Sequence, residues 1–188
     1  PLIAKIAEKL SDKDVYYFGL SDKLINTFPS DDSLHTHSAK ANSQVNADVV
    51  LESFSENTAT FNVNGKNLST SLKLNGVYNV YNAAAALAFV RAIVDGKIND
   101  DKLSKSLANV EPAFGRGETI VVKGQPLELI LVKNPSGFQL GLESFNPDGF
   151  ATMIAINDNY ADGRDMSWLW DVDFHLLAKH GVDYVSGI

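Results

Sequence analysis

Apolar residues recur along this chain in two periods, and the switches between them mark its elements. Leu2, Ile3, Ile6 and Leu10 fall on one stripe at helical spacing. The run Asp14-Val15-Tyr16-Tyr17-Phe18-Gly19 reads as a short buried strand. Residues 21–47 are rich in Ser, Asp, Asn and His and predict a long loop. Residues 48–54, 58–63 and 68–74 read as antiparallel strands, with Asn64-Gly65 as a hairpin turn between the last two. A helix is predicted over 78–94, where Val80, Ala84, Leu87 and Val94 accompany an unbroken run of four alanines and Asp95-Gly96 supplies a stop. A second helix covers 99–110, with Asn99 or Asp100 as cap and Leu103, Leu107 and Val110 turned inward.

Pro112, Gly115 and Gly117 interrupt the pattern, which places a domain boundary near 112. Beyond it, 118–122 and 128–132 predict strands, and a helix-like stretch follows Pro135. The continuous apolar run 151–156 predicts another strand, 167–180 suits a helix, and 183–185 begins a further strand. Strands alternating with helices predict an α/β domain with a Rossmann-like, mostly parallel sheet. The expected organisation is one domain over 1–112 and a second over 113–188, incomplete at its end. The abrupt first helix and the strand forming at Ile188 suggest that both ends are cut from something larger.

The 188 residues carry a formal charge of −7, and this argues against general nucleic-acid binding because no basic face dominates. No run of about 20 apolar residues predicts a spanning helix, and no secretory signal is visible. The absence of cysteine excludes disulfides, a thiolate nucleophile and a Cys-based zinc site. Acid is concentrated late: five carboxylates lie between Asp158 and Asp173, with Arg164 the one basic residue among them.

Four strings carry candidate chemistry. In the first, Asn75 to Ala86, Asn79 and Asn82 lie three apart at a helix start, so both amides can face one side of its first turn. An amide donates and accepts, which suits an adenine edge, and both residues also suit helix capping. In Pro112 to Glu118, two glycines flank Arg116, which fits either a hinge gripping phosphate or ribose, or a turn with a solvated cation. Lys133, in Leu131 to Phe138, follows a strand where an open α/β sheet places its ligand loops, and it suits a phosphate or plain solvent. The fourth string, Ile156 to Phe174, collects Asn157, Asp158, Asp162, Asp165, Trp168, Trp170 and Asp171 past a buried strand. From composition alone it is a solvated loop with Asp165 capping the next helix.

The first string resembles the Gly-x-aromatic/His-Asn-x-x-Asn-x-x-Ala-Ala pattern of the Mur ligase family, from the end of its central ATP-binding domain. The resemblance gives Asn82 an adenine contact, with Asn79 beside it. Gly115-Arg116-Gly117-Glu118 is similar to the family's interdomain Gly-Arg-x-Glu, which brings Arg116 toward the nucleotide, and Lys133 sits in a loop that can meet phosphate. The Asn-Asp-Asn-x-Ala-Asp-Gly-x-Asp-x-Ser-Trp-aliphatic-Trp-Asp string and Lys133-Asn134-Pro135-x-Gly137-Phe138 resemble one subgroup, the MurT-type ligase subunits of lipid II isoglutaminyl synthase. This implies the end of a central ATPase domain followed by a Rossmann-like C-terminal domain. It also implies a class I glutamine amidotransferase partner in a heterodimer, with lipid II as substrate at the membrane surface. The ligase uses ATP and Mg²⁺ to activate the glutamate α-carboxylate for attack by ammonia, in peptidoglycan synthesis at the inner face of the cell membrane. An Asp of the ligase completes the partner's Cys-His pair, since a His that activates a Cys benefits from an acceptor fixing its tautomer. Asp165 is the first choice and Asp162 the second.

Two departures accompany the resemblance. Many subgroup members insert a four-cysteine zinc ribbon where this chain has its Ser/Asp/His-rich stretch over 28–47. His35 and His37 alone cannot complete a tetrahedral site, so no structural zinc is expected. No Gly-x-x-x-x-Gly-Lys-Thr/Ser loop occurs either. The family places that loop and most Mg²⁺ ligands upstream of Pro1, so these 188 residues alone are expected to be inactive. The rival readings are an amino-acid-adding Mur or folylpolyglutamate-type ligase, and a non-enzymatic docking module.

Overall fold

The computed structural model describes residues 2–28, 46–74, 76–94, 97–112, 115–145, 148–156 and 164–179. The chain is mixed α/β and divides into two compact units between Ala113 and Phe114.

In the first unit a short helix, α1 (Leu2–Ala7), precedes a four-stranded sheet in the order β1-β2-β3-β4. β1 (Phe18–Leu20) runs parallel to β2 (Val49–Ser55), and β3 (Thr58–Val63) and β4 (Lys66–Ser71) continue as an antiparallel meander. β1 is shorter than its apolar run because the Tyr17 N–H donates to the Asp48 carboxylate at 2.7 Å. The turn between β3 and β4 has Asn64 at φ 50° and Gly65 at φ 85°, a type I′ geometry that Asn-Gly adopts readily. Asn62 Oδ1 accepts the Gly65 N–H at 2.8 Å and fixes that turn.

Alternation along the strands then decides the core. Val49, Leu51, Ala59, Phe61 and Val63 are buried, and Leu51 pairs with Phe61 across the ladder. Against them pack Val80, Ala83, Ala84, Leu87 and Ala88 of α2 (Val77–Ile93) and Leu103 and Leu107 of α3 (Asp100–Ala108). The opposite edge of α2 carries Asn82, Ala86, Phe89 and Ile93 and is exposed. α3 begins at Asn99, whose Oδ1 accepts from the N–H groups of Asp101 and Lys102 at 2.8 and 3.1 Å. It is joined to β4 where the buried Thr70 hydroxyl donates to Ser104 O at 3.0 Å.

The second unit opens with an antiparallel hairpin, β5 (Arg116–Val122) and β6 (Gln125–Ile130). Helix α4 (Pro135–Ser144) follows, capped by Asn134, whose Oδ1 accepts the Gly137 N–H at 2.7 Å. Gly141 lets α4 lie close to β6, since a Cβ there would stand 3.2 Å from Ile130 Cγ2. A 3₁₀ helix (Ser167–Asp171) and α5 (His175–Lys179) complete the unit. Phe138 of α4 is their common support: it is buried, meets Phe174 edge-on at 5.3 Å and lies 6.3 Å from the Trp168 ring.

Two expectations are corrected. Residues 151–156 form no strand, because an apolar run becomes one only by pairing and no ladder partner lies beside it among the described residues. The helix expected over 167–180 is a 3₁₀ turn followed by one short α-helix. The strand pair described in the second unit is antiparallel, and the parallel pairing described is that of β1 with β2 in the first. Residues 183–185, His35 and His37 lie outside the described residues.

Candidate functional site

Each candidate residue owes its setting to a local feature of sequence. Gly76, at φ 88°, turns the chain into α2 and brings Asn79 and Asn82 into the first two turns. The two amides do not share a setting. Asn79 is buried against the core side, 8% exposed, whereas Asn82 heads the exposed edge of the helix. An amide held in solvent at a helix start can pair with a planar base that needs one donor and one acceptor.

In the second unit the Gly115-Arg116-Gly117-Glu118 string forms a closed structure. Glu118 Oε2 accepts the Gly115 N–H at 3.0 Å, and the ladder slips between Arg116 and Glu118. Gly115 and Gly117 stand at φ 73° and 77°, a conformation that side chains rarely adopt. Arg116 is left exposed opposite Ile130, and Lys133 follows three residues beyond that partner. Both exposed cations therefore belong to one end of the β5–β6 hairpin. The residues after Lys133 have a structural part, because Asn134 caps α4, Pro135 takes its first position, and a Cβ at Gly137 would stand 3.0 Å from Asn134 Oδ1.

Asp165 is exposed just ahead of the 3₁₀ helix, and its Oδ1 accepts the Ser167 N–H at 2.9 Å. Hydrogen bonds from the Ser167 hydroxyl and then its backbone N–H hold the carboxyl below its ordinary value, so it stays ionised. The short helix behind it is pinned down: Trp168 faces Phe138, Val172 is buried, and the buried Gln139 side chain accepts the Asp173 N–H at 3.1 Å. Trp170 is the exception, 92% exposed on the same helix. Asp162 and the other polar residues of 157–163 lie outside the described residues. Ser167 and Gln139 were not among the candidates read from sequence. The Asp-x-Ser spacing signals a side chain folding back on the chain two residues later, whereas nothing in the sequence around Gln139 marks it as buried.

Among the described residues no group of three or more His, Asp or Glu side chains is placed to hold a metal ion. No helix among them is long and apolar enough to cross a membrane.

The Mur ligase middle domain matches residues 3–90, and the MurT ligase C-terminal domain matches residues 131–188. A 139-residue stretch is 35% identical to the lipid II isoglutaminyl synthase (glutamine-hydrolyzing) subunit MurT of Streptococcus pneumoniae, covering 72% of this chain and 30% of that protein. In fold the chain is similar to a pseudomurein peptide ligase type C from Methanothermus fervidus, with a TM-score of 0.56 at 20% identity over 77% of this chain and 31% of the other. It is also similar to a Mycobacterium tuberculosis folylpolyglutamate synthase complexed with ADP, with a TM-score of 0.52 at 16% identity over 76% and 38% of the two chains. The chain belongs to the Mur ligase family. Within that family its sequence is of the MurT type. The matched stretch spans 30% and 26% of the length of two of the curated relatives it matches.

Proposed function

We propose that this chain forms part of the ligase subunit of a glutamine-dependent amidating complex, which converts the D-glutamate of the lipid II stem peptide to D-isoglutamine. The observation that carries the reading is Asp165, an exposed carboxylate kept ionised and mounted on a pinned helix within the MurT-type unit. A carboxylate so placed can accept from the imidazole of a glutaminase subunit docked on it. It would then fix the ring's tautomer while the other nitrogen serves a cysteine nucleophile. Trp170 gives that partner a large apolar side chain to cover.

Each unit also carries residues that suit part of a nucleotide: in the first, Asn82 presents an exposed amide of the kind an adenine edge needs, and in the second, Arg116 and Lys133 are exposed cations of the kind phosphate or ribose needs. ATP supplies the phosphoryl group that activates a carboxylate toward ammonia. The described carboxylates do not by themselves form a Mg²⁺ site. The work belongs at the cytoplasmic face of the membrane, where the lipid-linked substrate presents its peptide.

The test is Asp165→Asn in the complete ligase–glutaminase complex. Assembly should persist while glutamine hydrolysis falls on the order of 10²-fold or more, by analogy with the loss of a triad carboxylate. Asp162→Asn serves as the comparison, and a larger effect there would move the role three residues upstream. Unchanged glutaminase activity with lowered ligation in both variants would assign the carboxylates to the ligase's own substrate and overturn the reading.

A further inference from the structure

We propose that Asn64 is a site of spontaneous covalent modification, in which the Gly65 backbone nitrogen closes a cyclic imide on the Asn64 side chain, and that Asn62 sets how fast the ring closes. The reaction needs an asparagine in a turn open to water, followed by a residue without a Cβ to crowd the approach. Asn64 and Gly65 are both exposed, and a Cβ at Gly65 would meet no atom within 4 Å among the described residues. The deprotonated Gly65 nitrogen attacks Cγ of Asn64 and forms a C–N bond there, while Nδ2 takes up a proton from water and leaves as ammonia. A water molecule then opens the imide. Opening at Cγ leaves an aspartate, whereas opening at the main-chain carbonyl of residue 64 leaves an isoaspartyl link that runs through the side chain.

A resonance-stabilised amide nitrogen attacks only once its proton has gone, so whatever holds that proton governs the rate. Here the Gly65 N–H donates to Asn62 Oδ1 at 2.8 Å. Taking the proton away breaks that bond and sets a negative nitrogen against an oxygen lone pair. The adjoining Asn64 N–H is held as well, by Asp48 O at 3.0 Å, and the turn keeps its type I′ shape with Asn64 at φ 50°. Asn62 is thus the guard on the reactive pair. What it protects reaches beyond the turn, because Val63 pairs with Lys66 across it and Lys66 Nζ meets Asp100 at 2.7 Å. An isoaspartyl link adds a main-chain carbon at position 64 and displaces both contacts.

The experiment incubates the protein, Asn62→Ala and Asn62→Asp in mildly alkaline buffer, with and without urea. Peptide mapping follows aspartate and isoaspartate at position 64, site by site, because Asn75-Gly76 is a second Asn-Gly pair in the chain. The folded parent should convert more slowly than the parent in urea. Folded Asn62→Ala should convert about five- to tenfold faster than the folded parent, the worth of one lost hydrogen bond. Asn62→Asp keeps an acceptor oxygen and should stay at or below the parent rate, and in urea the parent and Asn62→Ala should converge. Hydrogen exchange at the Gly65 N–H, slow in the parent, measures the guard independently of what alanine does to the fold. Equal rates in folded parent and Asn62→Ala, an Asn62→Asp rate as high as that of Asn62→Ala, or unprotected exchange at Gly65 would overturn the role of Asn62. No conversion at position 64 in urea, or conversion in urea with none in folded Asn62→Ala, would overturn the site itself.

Discussion

The Arg91 guanidinium donates from Nη1 to Oδ1 of Asp100 at 2.9 Å, tying the last turn of α2 to the first turn of α3. Each charge stands at the helix end whose dipole it complements. The second carboxylate oxygen of Asp100 accepts from Lys66 Nζ at 2.7 Å, so the start of β4 is held at the same point. With the Arg91 side chain 18% exposed, a double-mutant cycle on Arg91→Ala and Asp100→Ala should give a coupling of about 1 kcal/mol, the upper end for surface pairs. The Lys66–Asp100 cycle should give less, since the Lys66 side chain is 75% exposed. Urea unfolding of the four variants of each cycle measures both.

The same carboxylate sets an acid limit. Asp100 lies below its ordinary value of 3.8 because Lys66 and Arg91 donate to it, and Glu111 lies below 4.5 because Lys73 donates to it. A depressed folded-state value contributes stability above the ordinary value and loses it as pH falls through the folded one. Stability should therefore decline below about pH 4, and Asp100→Asn should flatten that decline in thermal melts. Lys66 behaves oppositely: Asp100 raises it above 10.5, so its contribution fades as pH rises past that value.

Asn79 and Asn82 should separate in their effects. Asn79→Ala removes a buried polar side chain and should lower stability by roughly 1–3 kcal/mol. Asn82→Ala alters an exposed position and should leave the melting temperature within a degree or two of the parent. If Asn82 meets the adenine, KM for ATP in the complete complex should rise about tenfold, the worth of one lost hydrogen bond to a base. Equal KM values in the two proteins would remove Asn82 from the nucleotide site.

Trp170→Ala should leave the folded unit intact, because so exposed a ring contributes little to its own core. It should weaken association with the glutaminase subunit by about 2 kcal/mol or more if the ring is a central interface contact. Isothermal titration of the partner into each variant measures this, and an unchanged Kd would place the ring at the interface rim or outside it.

The first unit was largely legible in the sequence because its signals are local. The alternation of Ala59, Phe61 and Val63 marked β3 to the residue, Asn64-Gly65 marked its turn, and the Asn99-Asp100 pair marked the start of α3, with Asn99 proving to be the cap. The second unit was less legible because its elements depend on partners distant in sequence. The 151–156 run has the composition of a strand without a ladder. The 167–180 segment has helical spacing, yet Trp168 and Phe174 are drawn onto Phe138, thirty and more residues away, and the helix is divided between two short pieces. Of the candidate site, the exposure of Asn82, Arg116 and Asp165 agrees with their residue types. The burial of Asn79 does not, since i and i+3 spacing alone cannot say which of two amides a sheet will cover.

The parallel pairing of β1 with β2 has a consequence for how this family varies. Neighbouring strands that run the same way oblige the chain between them to travel back along the sheet, so the connection after Leu20 and before Val49 is a return path rather than a turn. A return path has a minimum length and no sharp maximum, because each doubling of a flexible loop costs only about 0.6 kcal/mol. This interval can therefore gain or lose a module between homologues while the Phe18–Val49 register stays the same.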